Sequence, residues 1–241
     1  MTWQITSHQS LGVQSEQQDH GNAWTSPDGR EVLVVIADGA GGHQGGRQAS
    51  SVSVETARKL WETAPPGADD AQAFLEKISR AAHHAVAQEA KSRSTWLALL
   101  AREKEACWVH SGDTRLYHFT SGKLVFRTLD HSLVQSLVET GKVEASESSS
   151  HADRSVLLQS LGGPEYVPVE FASCPVGSDD LFLLCTDGVW NELDDGDLLR
   201  LARCRSADRA RLTRELVEKA VEHGGKRADN ASLWCVARQD V

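Results

Sequence analysis

Three aspartates occupy similar positions at the ends of apolar runs that are typical of buried strands. Asp38 directly follows one run and precedes Gly39, Asp187 follows a second run by one residue, and Asp229 lies shortly before a third. The runs are Val32–Ala37, Leu181–Cys185 and Ser232–Ala237. Four to six apolar residues bounded by glycine and aspartate favour strands over helices. The spacing therefore places each carboxylate at the edge of a sheet.

Several carboxylates brought to one place repel each other, and each of them loses hydration energy when it is buried. A hard divalent cation neutralises such a group most simply, and oxygen ligands suit Mg²⁺ or Mn²⁺. Taken singly, each aspartate is better explained as a turn former or a helix N-cap, whereas the three together favour the metal interpretation. The metal interpretation depends on the three strands converging.

The segment after the first strand, Asp38–Gly46, contains five glycines in nine residues. Glycine lets the backbone approach a bound ion or phosphate, and the helix that follows favours anions at its N-terminus. Neither a GxGxxG nor a GxxxxGK[ST] pattern is present, which argues against a dinucleotide fold and a P-loop.

Composition narrows the class of protein. The 241 residues are 40% hydrophobic and carry 25 basic against 34 acidic side chains, for a net charge of −9. This balance disfavours binding to nucleic acid or to an anionic membrane surface. Five scattered cysteines without a CxxC pair disfavour a disulfide framework, and no signal peptide or membrane-length apolar run is seen. We expect a cytoplasmic protein with one domain over residues 1–241.

Pairs of helices are predicted between strands that themselves occur in hairpins, which indicates an α+β domain with sheets inside and helices outside. Further strands are predicted at Thr2–Ser10, Thr95–Ala101, Ala106–His110, Thr114–Thr120 and Lys123–Leu129. Helices are predicted at Gly45–Trp61, Asp69–Arg93, Asp130–Thr140, Asp194–Arg203 and Asp208–His223. The polar, serine-rich stretch Gly141–Ser155 is predicted to be a mobile surface loop.

Several motifs together resemble the metal-dependent PP2C-type serine/threonine phosphatases in their compact bacterial form. The matching blocks, in the order of the family, are Val35–His43, Ser94-Thr95, Gly112–Tyr117, Asp130–Leu133, Leu184–Trp190 and Asp229–Ser232. One block alone would be a weak signal, whereas the ordered set covers nearly the whole chain.

The resemblance implies a four-layer α-β-β-α sandwich, in which two mainly antiparallel sheets are flanked by helices. It implies that Asp38, assisted by the Gly39 carbonyl, bridges two Mn²⁺ or Mg²⁺ ions, and that Asp187 and Asp229 complete the first site. Asp113 would help hold a third, weaker ion, and Asp19 would act behind the ligands or through water. The implied reaction is attack of a metal-bridging water on a phosphate ester.

The sequence departs from the family pattern in the block that normally carries a phosphate-binding arginine. Gln14 stands at that position and is expected to bind substrate more weakly, because its amide can donate a hydrogen bond to phosphate but supplies neither charge nor a bidentate fork. Arg47 and Arg154 are the candidates to replace it. The loop Gly141–Ser155 corresponds to the family's flap, which we expect to influence substrate choice, and His43 is more typical of a residue that shapes a loop than of a catalyst.

The favoured function is hydrolysis of phosphoserine and phosphothreonine in proteins, opposing a bacterial serine/threonine kinase. The resemblance alone suggests a link to type VI secretion. The expected partners are phosphorylated proteins, and a monomer is expected. A catalytically weak pseudophosphatase used as a binding module is the alternative, which the missing arginine favours and the intact aspartates oppose. Hydrolysis of another phosphoester has no supporting motif.

Overall fold

Two antiparallel sheets lie face to face in the computed structural model, which describes residues 2–40, 45–65, 70–89 and 92–239. The strands are β1 (Thr2–Ser10), β2 (Asp19–Thr25), β3 (Val32–Ala40), β4 (Arg93–Ser94), β5 (Trp96–Ala101), β6 (Glu105–Ser111), β7 (Arg115–Thr120), β8 (Lys123–Arg127), β9 (Glu170–Pro175), β10 (Asp180–Cys185) and β11 (Ala231–Gln239). One sheet has the order β1-β11-β10-β7-β8. The other has the order β2-β3-β5-β6-β9, with β4 paired to β3.

Six α-helices lie in the described part of the chain, and the four longest cover the outer faces of the two sheets. The six helices are α1 (Gly45–Thr63), α2 (Ala71–Glu89), α3 (Leu133–Glu139), α4 (Asp187–Trp190), α5 (Asp195–Arg203) and α6 (Arg209–Gly224). Helices α1 and α2 pack on the β3 sheet, and α5 and α6 pack on the β10 sheet. The resulting α-β-β-α sandwich confirms the predicted fold class.

Strand β3 shows how the sequence specifies these layers. Its side chains alternate, so that Val32, Val34 and Ile36 enter the core between the sheets. Leu33 and Val35 point the other way, into the core beneath α1 and α2. Because both faces of the strand are buried, it is apolar throughout and lacks the polar alternation of a half-exposed strand.

Several predicted boundaries were wrong. Strand β3 continues to Ala40, so Asp38 lies inside the strand and does not follow it. Helix α3 begins at Leu133 and not at Asp130, because Ser132 caps it by accepting a hydrogen bond from the Gln135 N–H. Arg93, predicted to end a helix, lies in β4.

Two strands, β2 and β9, were not predicted because their sequences carry no apolar run. Strand β2 reads DHGNAWT and β9 reads EFASCP, and both lie at the edges of their sheet. The predicted flap loop also contains a short 3₁₀ helix, Ala145–Ser150. None of the five cysteines forms a disulfide. Within the described ranges, no helix combines the length and hydropathy that a membrane span requires.

Candidate metal centre

The structure brings five aspartates together at one edge of the sandwich. They are Asp19, Asp38, Asp113, Asp187 and Asp229, the acids singled out from the sequence. Burial raises the pKa of Asp38 well above its usual range, and the charges of the other four raise it further. The five carboxylates are therefore close enough to repel one another, as the hypothesis of converging strands requires.

The register between β2 and β3 places the first two acids side by side. Asp19 is paired with Asp38 across the antiparallel ladder, so both side chains point to the same face. Directly opposed residues on neighbouring strands have Cβ atoms about 4.5–5.5 Å apart. One ion could therefore be shared by groups on both strands.

The backbone of Asp38 is fixed on both sides. Its N–H donates to Thr95 Oγ1 at 2.8 Å, and its carbonyl accepts from the Thr95 N–H at 2.8 Å and from Ser94 Oγ at 3.0 Å. Thr95 Oγ1 is in turn 2.6 Å from Thr114 Oγ1. These bonds occupy the main chain and leave the carboxylate of Asp38 to project into the acidic cluster.

Asp19 is held from one side only. Its Oδ2 accepts hydrogen bonds from Thr186 Oγ1 at 2.7 Å and from Ser232 Oγ at 2.6 Å, whereas its buried Oδ1 has no partner among the described residues. Burial is the main reason that the pKa of Asp19 rises to about 8. A buried acceptor without a donor is costly, and an ion or its bound water would satisfy Oδ1.

Asp187 and Asp229 meet because two backbone segments pack very closely. Asp187 opens α4, and a Cβ added to the next residue, Gly188, would lie 2.1 Å from the Asn230 carbonyl oxygen. Only glycine allows this approach. Burial, followed by the charge of Asp229, raises the pKa of Asp187 to about 6.

Asp113 lies in the turn between β6 and β7. Its carbonyl accepts a hydrogen bond from Trp190 Nε1 at 2.9 Å, which ties the turn to α4. Burial, then the charges of Asp187 and Asp130, raise the pKa of Asp113 well above its usual range. Next to it, the Arg115 guanidinium bonds both carboxylate oxygens of Asp130 at 2.7 Å and lies 3.5 Å from the centre of the Trp190 ring.

The five aspartates differ in their exposure to solvent. Asp19 and Asp113 are buried, Asp38 and Asp187 are partly buried, and Asp229 is exposed. The cluster is thus open to solvent at one side and supplies only oxygen donors. That donor set, together with the unsatisfied Asp19 oxygen, fits hard divalent cations such as Mg²⁺ or Mn²⁺.

The three predicted substrate-binding residues lie in different surroundings. Arg154 is close enough to the cluster for its charge to lower the pKa of Asp187. Arg47 instead forms an ion pair with Glu16 at 3.6 Å. Gln14 is exposed and makes no side-chain hydrogen bond to a described residue. His43 lies outside the described residues.

Thr186 and Ser232, which orient Asp19, were not identified as functional from the sequence. Each lies within three residues of a predicted ligand, Asp187 or Asp229. That proximity was the available signal. The hydroxyl donors themselves are recognisable only once β2 is known to lie beside β3 and β11.

Known proteins match both the sequence and the fold. The Protein phosphatase 2C family model matches residues 6–222. The serine/threonine phosphatase Stp of Listeria innocua is 26% identical over 237 residues, which cover 94% of this chain and 92% of that protein. The serine/threonine protein phosphatase PstP of Mycobacterium tuberculosis is 30% identical over 208 residues, which cover 83% of this chain and 39% of that protein.

Two solved structures extend the comparison. The catalytic domain of a PstP phosphatase in complex with two manganese ions superimposes with a TM-score of 0.83 at 26% identity and covers 99% of both chains. PppA, a regulatory component of the T6SS in Pseudomonas aeruginosa, superimposes with a TM-score of 0.80 at 28% identity and covers 98% of both chains. The sequence match and the shared fold both show that this chain belongs to the Protein phosphatase 2C family of enzymes.

Proposed function

We propose that this enzyme hydrolyses phosphoserine and phosphothreonine in proteins with two bound Mn²⁺ or Mg²⁺ ions. The observation that carries the proposal is the convergence of five aspartates, each contributed by a different segment of the chain, at one solvent-open edge. Phosphate monoesters are dianionic, so the main task of such a site is to neutralise charge during attack on phosphorus. The acids alone would repel the substrate, which is why the cations are essential to the proposal.

Asp38, Asp187 and Asp229 would hold the first ion, and Asp38 with the Gly39 carbonyl would hold the second. Asp113 would contribute to a third, weaker site. When bound, such a pair of ions lowers the pKa of a water molecule and neutralises the phosphoryl oxygens. Thr186 and Ser232 keep Asp19 oriented, and the Thr95 hydroxyl and the main chain around it fix the direction of Asp38.

A bacterial serine/threonine kinase pathway is the proposed source of the substrates. The named relatives Stp and PstP are serine/threonine phosphatases, and the similarity to PppA supports a role in type VI secretion. All proposed ligands belong to one chain and one domain. A monomer therefore suffices for activity.

The test is phosphate release from matched phosphoserine, phosphothreonine and phosphotyrosine peptides. We expect turnover of the first two with Mn²⁺ present, none in EDTA, and recovery when Mn²⁺ is restored. Turnover that persists in EDTA would remove the metal mechanism. Tight Mn²⁺ binding without hydrolysis of any peptide would favour the pseudophosphatase alternative.

Arg154 is the proposed replacement for the missing phosphate-binding arginine. We expect Arg154→Ala to raise KM for a phosphopeptide about tenfold with a smaller change in kcat, because a charge-assisted hydrogen bond to phosphate would be lost. Arg154→Lys should retain part of the binding, since it keeps the charge but loses the fork.

Arg47→Ala is the matched control for this prediction. Its guanidinium already pairs with Glu16, so we expect KM to change less than twofold. Steady-state kinetics on the same peptide measures both variants. If KM rises only for the Arg47 variant, Arg47 and not Arg154 is the phosphate-binding arginine.

A further inference from the structure

A cavity of about 280 Å³ lies beneath the flap, separate from the acidic cluster but next to it. Strands β7 and β8 form one wall, helix α3 and the 3₁₀ helix of the flap form the second, and the end of α4 closes it. The residues that matter for its chemistry are Arg115, Arg127, Gln135, Ser148, Trp190 and Asn191.

The lining of this cavity is cationic although the chain as a whole is acidic. Arg115 is committed to Asp130, but Arg127 forms no ion pair with any residue that the structure describes. No described residue that lines the cavity is acidic. The net charge of the chain is −9. An unpaired guanidinium in a concave site favours an anionic group, and its planar fork matches a carboxylate or a phosphate.

The other polar side chains of the cavity carry no charge. Gln135 and Ser148 line it beside Arg127. The Oδ1 atom of Asn191 is buried and closed to solvent, so a bound peptide does not reach it. The Arg127 guanidinium is therefore the group of the cavity that distinguishes an anionic occupant from a neutral one.

The position of the cavity relates it to the reaction. Trp190 forms part of its wall, closes the helical turn that Asp187 opens, and donates to the Asp113 carbonyl. One helical turn spans about 5.4 Å, whereas an extended peptide advances about 3.3 Å per residue. A substrate whose phosphate reaches the aspartates therefore places a side chain a few residues away at this cavity.

We propose that the cavity is a substrate subsite for an acidic side chain close to the phosphorylated residue, and that Arg127 determines this preference. The occupant is the carboxylate of aspartate or glutamate, or a second phosphate on the same peptide. The proposal rests on the proposed function, because it assigns a substrate class to the same active site.

The experiment compares kcat/KM for phosphopeptides that carry glutamate or glutamine at each of three positions on either side of the phosphoserine. We expect the wild-type enzyme to prefer glutamate by about fivefold to tenfold at one or more positions. Arg127→Ala should reduce that ratio to about one, and Arg127→Glu should bring it below one, because the introduced carboxylate repels the glutamate peptides. Comparing ratios within one enzyme removes any general change in activity.

Lys123→Ala is the matched control. Lys123 and Arg127 are both exposed on the same strand, but Lys123 lies four residues or about 13 Å away and outside the cavity. Lys123→Ala removes the same charge as Arg127→Ala. A nonspecific effect of charge would therefore lower the glutamate-to-glutamine ratio of kcat/KM in both variants, and that result would overturn the subsite. A wild-type ratio near one, or a ratio that survives in Arg127→Ala, would also overturn it.

Hydrolysis of p-nitrophenyl phosphate with Mn²⁺ separates the two proposals. This compound has no flanking side chain, so failure of the wild-type enzyme to hydrolyse it counts against the proposed function alone. The glutamate preference is then measured from peptide Kd by fluorescence anisotropy. Equal Kd for glutamate and glutamine peptides would reject the subsite, and a preference that disappears in Arg127→Ala would support it.

Discussion

Asp38→Asn should reduce phosphatase activity by about 10³-fold and, in the absence of metal, make the protein more stable. The loss of activity is expected because an amide oxygen has no charge and cannot bridge two cations as a carboxylate does. The gain in stability is expected because Asp38 is repelled by four other aspartates. Asparagine carries no charge at any pH, so the folded variant neither bears that repulsion nor has to bind a proton to avoid it.

Thermal unfolding and p-nitrophenyl phosphate hydrolysis measure the two effects. In EDTA, we expect the Tm of Asp38→Asn to exceed that of the wild type by at least about 2 °C, since roughly 1 kcal/mol corresponds to about 2–4 °C in a chain of this length. In saturating Mn²⁺ the order should reverse, because the variant gains less from the ion.

Asp180→Asn is the matched control for that prediction. Asp180 is also buried, but it accepts hydrogen bonds from the Gly177 N–H and the His118 ring and lies at the opposite end of β10 from Cys185. The same substitution should therefore lower Tm while retaining activity. If Asp38→Asn lowers Tm in EDTA as Asp180→Asn does, the repulsion among the five carboxylates that the structure indicates is absent.

The sequence predicted which aspartates cluster better than it predicted the residues that surround them. The apolar strands β3, β10 and β11 are recognisable because both of their faces are buried, and the aspartates near their ends could be located from them. The resemblance to a phosphatase family added Asp19 and Asp113. These five residues are the ones that the structure brings together.

The contacts that surround these aspartates could not be predicted, because they depend on pairings between segments that are distant in the sequence. Strand β2 is polar and contains Gly21, so nothing in its composition indicates a strand, and the opposition of Asp19 and Asp38 follows from that strand's register. Asp130 could equally have capped α3. Its pairing with Arg115, 15 residues away, becomes apparent only when β7 and the turn after β8 are placed side by side.

The raised pKa values predict a particular dependence of stability on pH and metal. In the unfolded chain, aspartate titrates near pH 3.9. In the folded, metal-free protein, mainly because of burial, the pKa of Asp19 is about 8 and that of Asp187 about 6. Between pH 4 and 8 the folded state therefore binds more protons than the unfolded state. Because unfolding then releases protons, the free energy of unfolding of the metal-free protein falls as pH rises.

Divalent cations should reverse this trend, because they replace the protons on the same carboxylates. At 100 times Kd, a bound ion stabilises a folded protein by about 2.7 kcal/mol, or about 5–10 °C at this chain length. Scans with Mn²⁺ and with EDTA at pH 5.5, 6.5, 7.5 and 8.5 measure both curves. We expect Tm in EDTA to fall as pH rises, and the difference in Tm between the Mn²⁺ and EDTA samples to widen over the same range. Mn²⁺ binding in weak buffer should release protons. A metal-free Tm that rises over this range would mean that the aspartates are ionised and compensated without any cation, and the metal centre would then lose its electrostatic basis.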